Sequence, residues 1–243
     1  MQTNDTPMGS GAMFDRIAHR YDILNRVLSG GVDITWRKRA AAELNSITHP
    51  IAVLDLATGT GDVAFTVAHA RAKRHLPVRE IVGADPSANM LAIAEKKRNQ
   101  HAHRGCCRFV VADAQALPFA NGEFDAVTMA FGIRNVPDRL RALREMKRVT
   151  RPGGKIIILE LTDPPGLLGA AAKVHVHQIV PRLGALLSGA REYRYLEKSI
   201  AAFPSAQTFA AQMSDVGLAV TTVAPLTFGV CHLFVARVPE DRA

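Results

Sequence analysis

The stretch Ile51-Ala52-Val53-Leu54-Asp55-Leu56-Ala57-Thr58-Gly59-Thr60-Gly61-Asp62 constrains this chain more than any other. It opens with an apolar run too short for a helix, with an acid near its end, which reads as a buried strand. A glycine-rich turn follows and runs straight into Val63-Ala64-Phe65-Thr66-Val67-Ala68, which reads as a helix. Glycines at 59 and 61 let the turn pass through positive φ and let a ligand approach bare backbone. Strand, glycine turn and helix in this order build a nucleotide-type crevice at the carboxyl end of a parallel sheet.

The turn admits two cofactors. Gly59-Thr60-Gly61-Asp62-Val63-Ala64 fits the dinucleotide pattern G-x-G-x-x-A. That pattern seats a pyrophosphate on the helix N-terminus, against free N–H groups and the positive end of the dipole. Here Asp62 falls in the first helical turn and Asp55 at the strand end before it. Two carboxylates beside a pyrophosphate repel it. A ligand with an ammonium and a sulfonium but no phosphate suits the same charges, and S-adenosylmethionine is that ligand. Asp62 as a simple helix cap is compatible with either. The charges favour the methyl donor.

Along the chain, Phe14, Ile17, Tyr21, Leu24 and Leu28 recur at helical spacing, and Gly30-Gly31 ends that segment. A second helix is expected from Ile34 through Trp36, Ala40 and Leu44, and the two precede the crevice as a cap. Strands and helices then alternate, which argues for a parallel sheet covered on both faces. The second strand is Glu80–Asp85, and its terminal acid is placed to accept both hydroxyl protons of a ribose. The basic run Lys96-Lys97-Arg98 reads as a solvated helix end that favours the dipole. The third strand, Cys106–Val111, leads to Asp113 and Ala114, where an acid and backbone amides suit an adenine. The fourth, Phe124–Ala130, opens into Phe131-Gly132-Ile133-Arg134-Asn135-Val136-Pro137 on the same edge as Asp55 and Asp85. Arg151-Pro152-Gly153-Gly154 reads as a turn before a fifth strand, Lys155–Leu161. A helical, apolar insertion then occupies residues 167–203, a lid or greasy substrate wall. A helix at Phe209–Met213 and strands at Leu218–Val223 and Val230–Val235 close the fold, the two strands suiting an edge pair.

The chain has 243 residues, enough for one sizeable domain, with 30 basic and 22 acidic side chains and a formal charge of +8. That surplus favours an anionic partner, either nucleic acid or an anionic membrane face. Three cysteines cannot form a disulfide framework. His101, His103, Cys106 and Cys107 match no zinc spacing, and no metal is expected. No signal segment or uncharged apolar span is read, so the expected place is the cytoplasm.

Several motifs together narrow the function. Met13-Phe14-Asp15-Arg16-Ile17-Ala18 through Tyr21-Asp22-Ile23-Leu24-Asn25, Phe131-Gly132-Ile133-Arg134-Asn135-Val136, and Tyr193-Arg194-Tyr195-Leu196 with Ser199-Ile200 closely resemble the menaquinone/ubiquinone biosynthesis C-methyltransferases. The resemblance covers roughly residues 13–236. It implies a seven-stranded, Rossmann-like class I methyltransferase sheet with an N-terminal helical cap (13–48) and a helical lid insertion after the fifth strand (163–204). Residues 1–12 are expected to be a disordered tail before a single domain at 13–243. The implied cofactor is S-adenosyl-L-methionine. Thr60 and Gly61 would contact its methionine part, Asp85 its ribose, and Asp113 with Ala114 its adenine, with Asp55, Gly59 and Ala130 shaping the same pocket. Ala130 stands where the family usually carries serine, so that side-chain hydrogen bond is not carried over.

The implied substrate is a prenylated quinol whose ring carbon becomes nucleophilic once the neighbouring hydroxyl loses its proton. Arg134 and Asn135 resemble the residues placed near the quinol oxygen. Arginine stays protonated, so Arg134 is read as stabilising the phenolate while water or another group takes the proton. A structural ion pair is the competing role for it. Tyr21, Arg194 and Tyr195 are candidates for positioning the ring. The expected partners are the quinol and, weakly and peripherally, an anionic membrane surface; a homodimer is left open. A nucleic-acid methyltransferase would explain the charge, but Phe131-Gly132-Ile133-Arg134 fills the place of the Asn/Asp-Pro-Pro-aromatic motif. A non-catalytic docking subunit with the same fold is the other alternative.

Overall fold

The computed structural model describes residue 26, residues 29–163 and residues 190–240, with backbone alone for 190–194. The first cap helix, Tyr21 and most of the insertion lie outside the described residues. The described chain runs α1 (Val32–Ala42), β1 (Ile51–Leu56), α2 (Asp62–Ala72), β2 (Val78–Asp85), α3 (Ala88–Gln100) and β3 (Cys107–Val111). It continues through β4 (Phe124–Ala130), α4 (Arg139–Val149), β5 (Thr150–Leu161), α5 (Ala190–Ala201), α6 (Ala206–Asp215), β6 (Ala219–Leu226) and β7 (Cys231–Arg237).

Seven strands form one sheet in the order β3-β2-β1-β4-β5-β7-β6. The first five pair in parallel, and β7 is antiparallel to both β5 and β6. The chain order reverses between β1 and β4, which opens a crevice above the carboxyl ends of these strands. The central strands are continuous apolar runs because both of their faces are covered. All six residues of β1 are buried. Ala52, Leu54 and Leu56 pack with Leu143 and Met146 of α4 and Phe209 of α6. On the other face of the sheet, Ile51 and Val53 pack with Trp36, Leu44 and with Val63 and Val67 of α2. Full burial of each such side chain stabilises by about 1.5–3 kcal/mol. By contrast β6, the outermost strand, alternates exposed and half-buried along its length.

At the opposite, amino end of the strands, Arg71 is fully buried. Its guanidinium donates to the carbonyls of Leu44, Ile47, His49 and Pro77 at 2.8–3.2 Å, sealing the entries to β1 and β2. The expected turn at 151–154 is instead the irregular first half of β5. Pro152 lacks a ladder donor, and such residues are tolerated where pairing is interrupted by a bulge. Gly153 stays tied to the sheet edge, its N–H donating to Val238 O at 2.9 Å.

Candidate active site

After β1 the backbone turns through left-handed conformations at Ala57 (φ 49°) and Gly61 (φ 85°). Gly61 precedes α2, and a Cβ there would come within 2.7 Å of the Phe65 ring, so only glycine fits both the angle and the space. Asp55 lies beneath this turn. It accepts from Thr58 Oγ1 at 2.6 Å and Thr128 Oγ1 at 2.7 Å. Burial nevertheless raises its pKa from 3.8 to about 6 against those two donors. A carboxyl raised in this way contributes stability that is complete below its unfolded value and lost as the pH climbs through the folded one. Asp55→Asn should therefore flatten the fall in stability between about pH 4 and 6, a difference of roughly 3 kcal/mol at most. Urea titrations across that range check it, and an unchanged slope would remove Asp55 as its source.

Asp62 faces away from the crevice. Its carboxylate meets Lys97 Nζ at 2.9 Å and Arg26 at 3.1 Å, with Arg37 at 3.9 Å. Burial alone would raise its pKa, but Lys97, Arg37 and Arg26 outweigh that and hold it low. Asp33 joins the network through Arg26 and Arg37. Lys97 also donates to Thr60 Oγ1 at 2.8 Å. The run 96–98 is thus more than a solvated helix end, since its middle residue ties α3 to the glycine turn. Asp55, Thr60 and Gly61 accordingly shape the turn from behind, whereas Gly59, Asp85, Asp113, Ala114, Ala130 and Asn135 line the crevice itself.

Two carboxylates, Asp85 and Asp113, and no lysine or arginine stand among the described residues lining this cavity. Asp55 and Asp62, from which repulsion of a pyrophosphate was expected, are not among the lining residues. Asp85 accepts from the backbone N–H of Gly59 and of Ser87, each at 2.9 Å, which fixes its carboxylate across the β1 and β2 ends. Asp113 is exposed, and its Oδ1 accepts from Gln115 N at 2.8 Å. These two acceptors fit the ribose hydroxyls and the base amino group of a nucleoside. Gly132 completes the wall, because a Cβ there would sit 2.5 Å from Ala57 Cβ and push the loop into the crevice.

Phe131 to Asn135 form the crevice's far side. Phe131 holds a left-handed φ of 60° with its ring under the Arg37 guanidinium and beside Trp36. The Arg134 side chain is 7% exposed, and Nη1 donates to Glu160 Oε1 at 2.6 Å and Phe131 O at 2.7 Å. Its Nε is buried with no hydrogen-bond partner among the described residues. Asn135 lines the cavity and accepts from the Tyr195 hydroxyl of α5 at 3.0 Å. Burial raises the Tyr195 pKa, partly offset by Arg134, so the phenol remains a donor near neutrality. Arg194 falls within α5, with its side chain outside what is described.

Sequence reasoning missed Glu160, although one carboxylate in the apolar run Ile156–Leu161 was a visible signal. It also missed Gln115 and Met90 in the lining, which carry no distinguishing pattern. His101 stacks on Phe65 at 4.7 Å and is 5.5 Å from the His103 ring. Among the described residues no three His, Cys, Asp or Glu side chains are grouped to hold a metal.

Sheet order, antiparallel β7 and the acid-lined crevice define a class I S-adenosylmethionine-dependent methyltransferase fold. Solved structures agree on the fold. A SAM-dependent methyltransferase from Aquifex aeolicus superposes with a TM-score of 0.58 at 17% identity, covering 82% of this chain and 89% of that one. The [4+2]-cyclase SpnF gives 0.65 at 17% identity, over 95% and 96%, so the architecture does not fix the reaction.

Sequence relatives go further. The model of the ubiE/COQ5 methyltransferase family matches residues 2–237, and the chain belongs to that family. A demethylmenaquinone methyltransferase of Thermus thermophilus is 46% identical over 93% of this chain and 100% of its own length. A ubiquinone/menaquinone biosynthesis C-methyltransferase UbiE of Geotalea daltonii is 40% identical over 91% and 93%.

Proposed function

We propose that the protein methylates a ring carbon of a prenylated quinol, demethylmenaquinol above all, with the ubiquinone precursor as a second substrate of the same chemistry. The observation that carries the donor half is the crevice of Asp85 and Asp113 with no cation among the described residues that line it. S-adenosylmethionine, when bound, supplies an electrophilic methyl group on a sulfonium. Asp85 is assigned to the ribose hydroxyls and Asp113 with Ala114 to the adenine, with Gly59 and Ala130 leaving room for the rest. Asp55, Thr60 and Gly61 hold the turn that presents Gly59.

On the quinol side, the chain must favour loss of the hydroxyl proton and align the ring. Arg134, on the crevice-edge loop beside the lining residue Asn135, is assigned to the charge that develops on the quinol oxygen. The guanidinium cannot itself act as base, so the proton passes to water or another group. Asn135, fixed by Tyr195, orients the ring against the cavity wall. Tyr21 and Arg194 are assigned to positioning the ring, and the 163–204 segment to a lid or greasy substrate wall. No described helix is long and apolar enough to cross a membrane. The basic surplus of +8 supports weak contact with an anionic membrane surface that holds the substrate's tail.

The quinone profile of a deletion strain lacking its own enzyme tests this reading. Complementation by this chain should restore methylated menaquinone, and accumulation of the demethylated quinone despite expression would refute it.

A further inference from the structure

Glu160 stands in the apolar half of β5 and is fully buried. Its Oε1 accepts from Arg134 Nη1 at 2.6 Å and Leu161 N at 2.8 Å, and its Oε2 from Arg134 N at 3.1 Å. One carboxylate therefore fixes both the backbone and the guanidinium of Arg134. The Phe131 carbonyl carries the arrangement onward, accepting from Arg134 Nη1 at 2.7 Å and from Asn135 Nδ2 at 3.4 Å. A buried ion pair adds little net stability over packed apolar side chains of the same volume. Its use here is geometric, because the Phe131 carbonyl that Arg134 meets also receives the amide of Asn135, which lines the cavity.

We propose that Glu160 is a positioning residue for the methyl transfer, holding the Arg134 guanidinium and, through the Phe131 carbonyl, the Asn135 amide where they meet the quinol oxygen. The proposal rests on the reading of Arg134 and Asn135 as the quinol-facing pair. The titratable side chains around the pair are Tyr195 on α5 and Cys231 and His232 on β7, with Arg37 of α1 acting on Cys231. Burial pushes the Cys231 thiol and the Tyr195 phenol up and His232 down, so all three are uncharged near neutrality. The charge of Glu160 thus acts directly on the field that Arg134 presents to the substrate.

Two variants separate charge from position. Glu160→Gln keeps the length and removes the charge, whereas Glu160→Asp keeps the charge and shortens the reach. Both full chains are assayed across pH with methyl-labelled S-adenosylmethionine and a short-chain demethylmenaquinol, and donor affinity is measured by calorimetry. In Glu160→Gln the guanidinium loses its counter-charge, and the limb of the rate profile set by quinol ionisation moves to lower pH. In Glu160→Asp that limb stays in place while turnover falls roughly 10- to 100-fold, the range seen for partners that orient a ligand-contacting group. Donor affinity stays nearly unchanged in both. A merely structural carboxylate would alter only the folded fraction, so either variant showing wild-type turnover per folded molecule and a wild-type limb overturns the proposal. Should Glu160→Gln not fold, Glu160→Asp decides alone. A wild type that transfers nothing to the quinol refutes the underlying reading, whereas an active wild type beside unaffected variants refutes only the role of Glu160.

Discussion

Arg134→Ala is expected to lower turnover by ~10²–10³-fold while leaving donor affinity nearly intact, the usual cost of removing one preorganised stabiliser of developing charge. The effect follows from its place on the crevice-edge loop, next to Asn135 of the cavity wall. The same substitution strips fully buried Glu160 of its counter-charge, which costs ~3–5 kcal/mol of stability. Rates must therefore be referred to folded protein, by thermal or urea titration alongside the assay. Arg134→Lys should recover only part of the rate, because an ammonium keeps the charge but loses the planar, delocalised guanidinium. Raising the pH should partly rescue the alanine variant, since more quinol then ionises without help. An alanine variant that is folded and turns over like the wild type would show that Arg134 only braces the loop.

Asp85→Ala is expected to weaken S-adenosylmethionine binding by ~10- to 150-fold, from the loss of charge-assisted hydrogen bonds worth ~1.5–3 kcal/mol. Two contributions combine. The carboxylate assigned to the ribose is gone, and the N–H groups of Gly59 and Ser87 lose the acceptor that aligns the β1 and β2 turns. Asp85→Asn, which keeps one acceptor oxygen, should fall between the wild type and the alanine variant. Quinol binding should change far less, because Asn135 and Tyr195 sit across the cavity. Calorimetry with the donor alone decides the point, and unchanged affinity would take Asp85 out of the site.

The central sheet was legible because its strands are short apolar runs punctuated by glycine turns, a pattern few other structures produce. Asp85 and Asp113 were legible for the same reason, since a strand end in this topology fixes where its next side chain falls. The direction a carboxylate faces was not. Asp55 and Asp62 flank the glycine turn in sequence, yet one points down to Thr58 and Thr128 and the other outward to Lys97. That depends on partners 35 and 73 positions away, which no local pattern encodes. Arg134 illustrates the same limit. Its position on the loop was readable, but its pairing with Glu160 joins residues 26 positions apart across two strands. The start of β5 was misread because Pro152, Gly153 and Gly154 signal a turn locally, while Thr150 and Lys155 pair with β4 on either side of them and Gly153 and Gly154 bond to Val238.

The central claim is carbon methylation of a quinol in this crevice. It is tested most directly by incubating the protein with S-adenosylmethionine labelled in its methyl carbon and a short-chain demethylmenaquinol, then locating the label in the product by NMR. The expected product carries the methyl group on the ring carbon beside the hydroxyl, with both quinol oxygens unsubstituted. A label on oxygen, or no transfer by protein that binds the donor, would contradict it.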